Sequence, residues 1–252
     1  MLNARNPGDT NRSPGLEAPT ATGMVAPGSA IPAPIGAEAL QEPARWFDYR
    51  EAANPVRPGL TEPIGLHQWG AELHAQGPTA ILPLDLSQEL GCPGPATSPA
   101  LAAHFLRILP GEGLTAAAAA TTSLFAVLRG SGALQRPGDR HGGPLSLNWQ
   151  SGDLLVLPAG QAPRLEAREE SVLYWVHDGP LLRYLGVEPS QPRFRPCLYA
   201  AATLEKELKA LLHDPSAGKA NRLSLLLGHA DLPATRTVSH TLWAMQGVVP
   251  AG

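Results

Sequence analysis

Between Gly111 and Ala167, glycine and proline recur at intervals that leave little choice of architecture. The first half reads Gly111-Glu-Gly-Leu-Thr-Ala-Ala-Ala-Ala-Ala-Thr-Thr-Ser-Leu-Phe-Ala-Val-Leu-Arg-Gly130. The second reads Gly152-Asp-Leu-Leu-Val-Leu-Pro158-Ala-Gly160-Gln-Ala-Pro163-Arg-Leu-Glu-Ala167. Glycine admits the backbone angles of tight turns, and proline interrupts a β-ladder. The apolar runs between them are too short for helices: Ser123–Leu128, Leu145–Trp149, Asp153–Leu157 and Ser171–Val176. Turn clusters separate them at Arg129–Gly132, Pro137–Asp139, Gly142–Pro144 and Ser151–Asp153. Short strands with regular turn signals predict an all-β sandwich or barrel from Gly111 to Leu185.

The flanking segments behave differently. Residues 1–43 are rich in Pro, Gly, Ala, Ser and Thr, and are read as a disordered tail that cannot bury enough apolar surface to offset its ordering entropy. The ordered chain is expected to begin near Trp46-Phe47-Asp48-Tyr49, and residues 44–99 form a lead-in. There, Asp48–Asn54 ends a short helix or turn before Pro55, and Thr79–Ser87 starts as a strand and turns at Asp85 or Ser87. Residues 100–199 hold the barrel. At its start, Ala100–Leu109 ends in strand-like alternation, with Phe105, Arg107 and Leu109 on one face and Leu106 and Ile108 on the other. Residues 200–219 are a linker: Leu204, Leu208, Leu211 and Leu212 recur at helical spacing with charges opposite, and Asp214-Pro215 ends the helix. Strands are predicted again at Arg222–Leu227, Thr235–Ser239 and Thr241–Val249. Ser98-Pro-Ala-Leu101 precedes Gly111 by the same interval that Ser239-His-Thr-Leu242 precedes Gly252, so residues 220–252 are read as the beginning of a second, incomplete barrel.

Composition excludes several classes. Hydrophobic residues make up 43% of the 252 residues, enough for a real core, yet no run approaches the ~18 apolar residues of a membrane span. A net charge of −3 with no basic block argues against nucleic acid or anionic membrane as a partner. With no secretory signal pattern, a cytoplasmic location is expected, and Cys92 and Cys197 are read as reduced thiols. The sequence has no nucleophile elbow, P-loop or dinucleotide fingerprint.

The glycine–proline skeleton resembles the two motifs of the cupin barrel, a jelly-roll or double-stranded β-helix fold. In that family, two histidines at alternate positions, a glutamate further on and a histidine of the second motif point into the barrel and hold a divalent metal. Counted on the same pattern, those positions are Ala117, Ala119, Ser123 and Pro163, and Ala167 stands where asparagine is common. Methyl groups and proline have no lone pair to offer, so no metal, cofactor or catalytic residue is expected in this barrel. Over residues 46–252 the resemblance extends to bicupins of the gentisate 1,2-dioxygenase kind. It is carried by Asn148–Asp153, Leu173–Gly186 and Thr237–Met245. That family implies Fe(II), held by histidines, opening an aromatic ring with O2. The chain stops at Pro250-Ala-Gly252, before the family's second histidine cluster, and is read as a fragment or truncated product.

The eight histidines are 67, 74, 104, 141, 177, 213, 229 and 240, none in an H-x-H or H-x3-H pair. His67 and His74 are expected on one helical face, His104 in an apolar strand, and His141 in a glycine-rich loop. His177-Asp178 ends a strand near a barrel mouth and is read as structural, since neighbours on a strand point oppositely. Three functions remain open: a non-catalytic structural or dimerisation half of a bicupin; part of an Fe(II)-dependent, extradiol-type ring-cleaving dioxygenase whose metal lies in another barrel; and a metal-free barrel holding a small aromatic ligand. A homo-oligomer is expected. Residues 220–252 are expected to pack on the first barrel or pair with another chain, because open strand edges invite pairing.

Overall fold

The structure, a computed structural model, describes residues 41–48, 65–140, 143–213 and 223–248. The bulk of the expected tail, the turn before Pro55 and His141 lie outside the described residues. The chain divides into two compact units, Met1–Gly65 and Leu66–Gly252. In the first, the Ala44 N–H donates to the Gln41 carbonyl at 2.9 Å, and Trp46 and Phe47 are exposed. All that follows concerns the second unit.

Its elements run α1 Glu72–Ala75, β1 Ala80–Pro83, α2 Ser87–Leu90, β2 Ala102–Ile108, β3 Gly113–Thr115, β4 Thr122–Arg129, β5 Ser131–Arg136 and β6 Leu145–Gln150. They continue β7 Leu154–Pro158, β8 Arg164–Ala167, β9 Ser171–His177, α3 Gly179–Leu185, β10 Cys197–Tyr199, α4 Ala201–Leu212, β11 Leu223–Leu227 and β12 Ala244–Val248. A six-stranded sheet has the order β1-β2-β9-β4-β7-β10, and a four-stranded sheet the order β3-β8-β5-β6. The antiparallel pairs are nested: β5 with β6, β4 with β7, β3 with β8, β2 with β9. Alternate members of that nest fall in opposite sheets, which is how a long hairpin rolls into a jelly roll. The fold is all-β and of the cupin type.

The motif glycines make the turns. Gly111, Gly130, Gly152 and Gly160 all have positive φ and separate β2/β3, β4/β5, β6/β7 and β7/β8. Gly130 has no room for a side chain, because a Cβ there would lie 2.1 Å from Ser171 Oγ and 2.7 Å from the Glu170 carbonyl. The turn expected over Arg129–Gly132 is therefore confined to Gly130. Ser131 and Gly132 already belong to β5, which pairs with β6 on one side and β8 on the other. Leu134 is the one large apolar residue of β5, beside the small Ala133, so its strand character comes from its neighbours.

The inner faces enclose one core. Leu106, Ile108, Phe125, Val127, Leu134, Trp149, Leu155, Leu157, Leu165, Leu173 and Trp175 are each at most 3% exposed. A second cluster lies on the outer face of the larger sheet. There Leu124 and Val156 meet Phe194, Leu204, Leu227, Val238 and Leu242. Helix α4 presents Leu204 to this cluster and buries Leu208 beside it in the helix's apolar stripe, whereas Leu212 is exposed. Each buried leucine contributes about 1.5–3 kcal/mol by removal from water. The buried Asp153 carboxylate accepts the Ala201 N–H at 2.8 Å and the Gln150 N–H at 3.0 Å, tying the start of α4 to the β6–β7 turn. Residues 223–248 thus pack on the barrel. Strands β11 and β12 form a separate two-stranded sheet, and Thr235–Ser239 is not a strand as expected but part of the connection between them. No helix among the described residues is long and apolar enough to cross a membrane.

Candidate functional site

Alternation on β2 sends His104, Leu106 and Ile108 to the barrel's inner side, and register sets His104 opposite Trp175 and Ala102 opposite His177. On the other flank of β9, β4 places Ser123 opposite His177 and Phe125 opposite Trp175. Phe125 and Trp175 stack with centroids 5.8 Å apart and planes 4° from parallel. Side chains fill the lumen, as expected of a barrel this narrow.

The motif positions require a correction. Ala117 and Ala119 are exposed, whereas Ala116 and Ala120 are buried. The cavity at the barrel mouth is lined by Ala116, Ala118, Ala120, Ser123, Arg136 and Pro163, among others, and measures about 20 Å³. Counting from Gly111 assumes an unbroken strand, but β3 ends at Thr115 and Ala116–Ala120 follow an irregular path. The Ala116 N–H still reaches the Pro163 carbonyl at 3.0 Å, so the two motifs lie side by side. Five successive alanines make the chemistry indifferent to this slip: whichever face inward, no lone pair does. The Arg136 guanidinium also borders the cavity and donates to the Pro158 carbonyl at 3.1 Å. Burial pulls its pKa down while Asp139 holds it up. A fixed cation beside a cavity repels a second one. The residues present therefore do not fit a metal at the family's site. Among the described residues, no group of three or more His, Cys, Asp or Glu converges anywhere.

What the fold does bring together is His104 and His177. Both are 4% exposed, and their Nε2 atoms are 3.1 Å apart. Trp175 packs against each ring at 4.8 Å. The Gly179 N–H donates to His177 Nδ1 at 3.2 Å. That bond fixes the neutral tautomer: Nδ1 is the acceptor, so Nε2 carries the proton and donates to His104 Nε2. His104 then carries its proton on Nδ1, which is buried and has no partner. A metal-bound imidazole usually donates its distal N–H to an acceptor, the reverse of what His177 does. Burial, then His104, push the His177 pKa down to about 4 against the pull of Asp178, and burial also lowers that of His104. The 73-residue separation hid this pair from sequence reasoning. The signal that finds it is the pairing of the first and last strands of the nest, combined with alternation.

Asp178, fully buried, points the other way. Its carboxylate accepts the Thr121 N–H at 2.8 Å, the Thr122 N–H at 3.2 Å, the Thr121 hydroxyl, and the Thr241 hydroxyl at 2.7 Å. Sequence placed His177-Asp178 at a strand end, and there the geometry agrees: His177 closes β9, and Asp178 precedes α3. The remaining histidines scatter. His67 lies before α1, not on one face with His74, and pairs with Glu89 at 2.9 Å. His74 packs on Phe105 at 4.5 Å. His229 donates from Nε2 to the Arg195 carbonyl at 2.9 Å and accepts the Asp231 N–H on Nδ1 at 3.0 Å, a structural clasp. Cys92 and Cys197 are free thiols.

No protein-family model and no curated protein matches the sequence. Among solved structures, the chain is similar to salicylate 1,2-dioxygenase from Pseudaminobacter salicylatoxidans, with 18% identity over 51% of this chain and 32% of that one, and a TM-score of 0.36. It is also similar to the EutQ protein of Clostridium difficile, with 14% identity over 40% of this chain and 67% of that one, at 0.30. Tomato vicilin aligns with 19% identity over 31% of this chain and 22% of that one, at 0.29. The chain spans about a third of the salicylate dioxygenase's length.

Proposed function

We propose that this chain contributes a non-catalytic, metal-free cupin barrel, the structural half of a bicupin of the gentisate 1,2-dioxygenase kind. The observation that carries this reading is the lining of the barrel mouth. Ala116, Ala118, Ala120 and Pro163 occupy the wall where metal ligands belong, and Arg136 adds a positive charge. At about 20 Å³ the cavity has room for about one water molecule and none for an aromatic ring. The reading also includes self-association as a homo-oligomer, favoured by the open edges of the β11–β12 sheet and by Leu226, Trp243 and Met245 exposed on or beside it.

The test loads the purified chain with Fe(II), Mn(II) or Zn(II) and measures bound metal by elemental analysis, together with oxygen uptake on gentisate and salicylate. The expected result is substoichiometric metal and no uptake. One tightly held iron per chain would overturn the reading and restore the dioxygenase alternative. A thermal-shift screen with the same aromatic acids addresses the ligand-binding alternative, for which a true ligand at a hundredfold excess over Kd adds about 2.7 kcal/mol.

A further inference from the structure

Two surfaces of this chain hold apolar side chains out to solvent on fixed backbone, and each carries an unpaired charge, the two of opposite sign. The first is the end of α3. Gly186 closes the helix at φ +65°; its N–H donates to the Arg183 carbonyl at 3.2 Å, and the Val187 N–H donates to the Leu182 carbonyl at 3.0 Å. The Arg183 guanidinium anchors the same turn to the carbonyls of Pro95 at 2.8 Å and Pro93 at 3.3 Å. On this pinned turn Tyr184, Leu185 and Val187 are exposed, Tyr184 at 84%, and the exposed Glu188 follows. The second surface is the outer side of the β11–β12 sheet. Leu225, Leu227 and Ala244 face the barrel, so alternation turns Leu226 and its cross-strand partner Met245 outward, with Trp243 exposed just before β12. Leu226 also borders a groove of about 610 Å³ whose lining includes Leu232, Pro233, Thr235 and Arg236. The His229 clasp and the Arg195–Asp231 ion pair, at 2.6 Å, hold that groove in shape. Among the described residues, neither the Glu188 carboxylate nor the Arg236 guanidinium has a hydrogen bond or ion pair.

We propose that these surfaces bind each other between copies of the chain. The α3 end of one copy seats on the β11–β12 face of another, with Tyr184 in the groove, Leu185 and Val187 against Leu226, Met245 and Trp243, and Glu188 paired with Arg236. The contact rests on the homo-oligomer already proposed and gives that assembly its surfaces. Three features favour it. A convex turn meets a concave groove, and both are held by hydrogen bonds before they meet, so association orders little backbone. The contact brings together a tyrosine, a tryptophan and an arginine, the residue types that carry most binding energy at interfaces. The single charges are opposite in sign, which sets the orientation and disfavours the turn meeting the turn or the groove meeting the groove.

Sedimentation velocity of the full chain, from about 1 µM to about 1 mM to span weak association constants, tests this. Wild type is expected to associate with rising concentration. E188R sets two guanidinium groups against each other and R236E two carboxylates, and each is expected to weaken association by at least about tenfold. Y184S, which empties the groove, is expected to do the same. The double variant E188R/R236E restores the pair with its signs exchanged and is expected to return association to within about threefold of wild type, which also shows that the single variants did not lose it by misfolding. A wild-type chain that stays monomeric throughout would overturn both this contact and the homo-oligomer, and would leave the β11–β12 face to a foreign partner. Association of wild type that E188R, R236E and Y184S all leave unchanged would overturn this contact alone. Neither result bears on the metal-free barrel, which stands or falls by elemental analysis.

Discussion

Gly132 offers the sharpest test of how closely β5 is pressed against β6 and β8. It lies in β5, opposite Trp149 on β6 and Ala167 on β8. In Gly132→Ala, the new Cβ would be 2.1 Å from the Glu166 carbonyl oxygen and 2.3 Å from the Trp149 ring. Ordinary contact begins near 3.4 Å, so the neighbours must retreat by roughly 1.3 Å. Neither can do so freely. The carbonyl belongs to the β8 backbone between strands β3 and β5, and Trp149 is 1% exposed in the core. Overpacking of this kind costs about 1–3 kcal/mol, occasionally more. For a chain of this size that lowers the melting temperature by roughly 2–4 °C per kcal/mol. The assay is urea unfolding followed by tryptophan fluorescence. Gly143→Ala is the matched control, since its Cβ would meet nothing within 4 Å, and a change within about 0.5 kcal/mol is expected. If Gly132→Ala unfolds with the midpoint of wild type, the close approach of β5 to β8 and Trp149 is wrong.

Other outcomes follow from the same geometry. The folded-state pKa of His177, at about 4, lies below its ordinary value of 6.5, so the native state binds fewer protons than the unfolded chain. Stability is therefore full above pH 6.5 and falls as the pH drops toward 4, by about 3 kcal/mol in all; urea midpoints measured across that range check it, and H177Q should weaken the dependence. Phe125→Ala removes the ring stacked on Trp175 and should cost about 3–5 kcal/mol, read as a shifted midpoint with an unchanged denaturant slope. Asp178→Asn keeps the shape but turns an amide donor toward groups that all donate. A loss of about 1–3 kcal/mol is expected by calorimetry, and equal stability would mean that the four bonds to that carboxylate are not formed.

Much of this protein follows from local chemistry. Gly111, Gly130, Gly152 and Gly160 mark their turns in sequence, because a positive φ is a property of one residue and its immediate neighbours. Helix α4 is visible at Leu204 and Leu208, since a helical stripe needs only spacing. The lack of metal donors at the mouth is equally legible: no arrangement of Ala116–Ala120 creates a lone pair. Folding decided what depends on partners distant in the chain. Strand β5 exists because β6 and β8 flank it, and Thr235–Ser239, with strand-like residues but no ladder on either side, does not become a strand. Which alanines face inward turned on where β3 stops pairing, and that moved the motif count by one residue. The pairing of β2 with β9 joined His104 to His177, and the packing of residues 223–248 gave Asp178 its fourth hydrogen bond, from Thr241. Turn and period are encoded within a few residues, whereas register and contact are set by free energies summed over whole strands, so the barrel could be read in advance and its buried histidine pair could not.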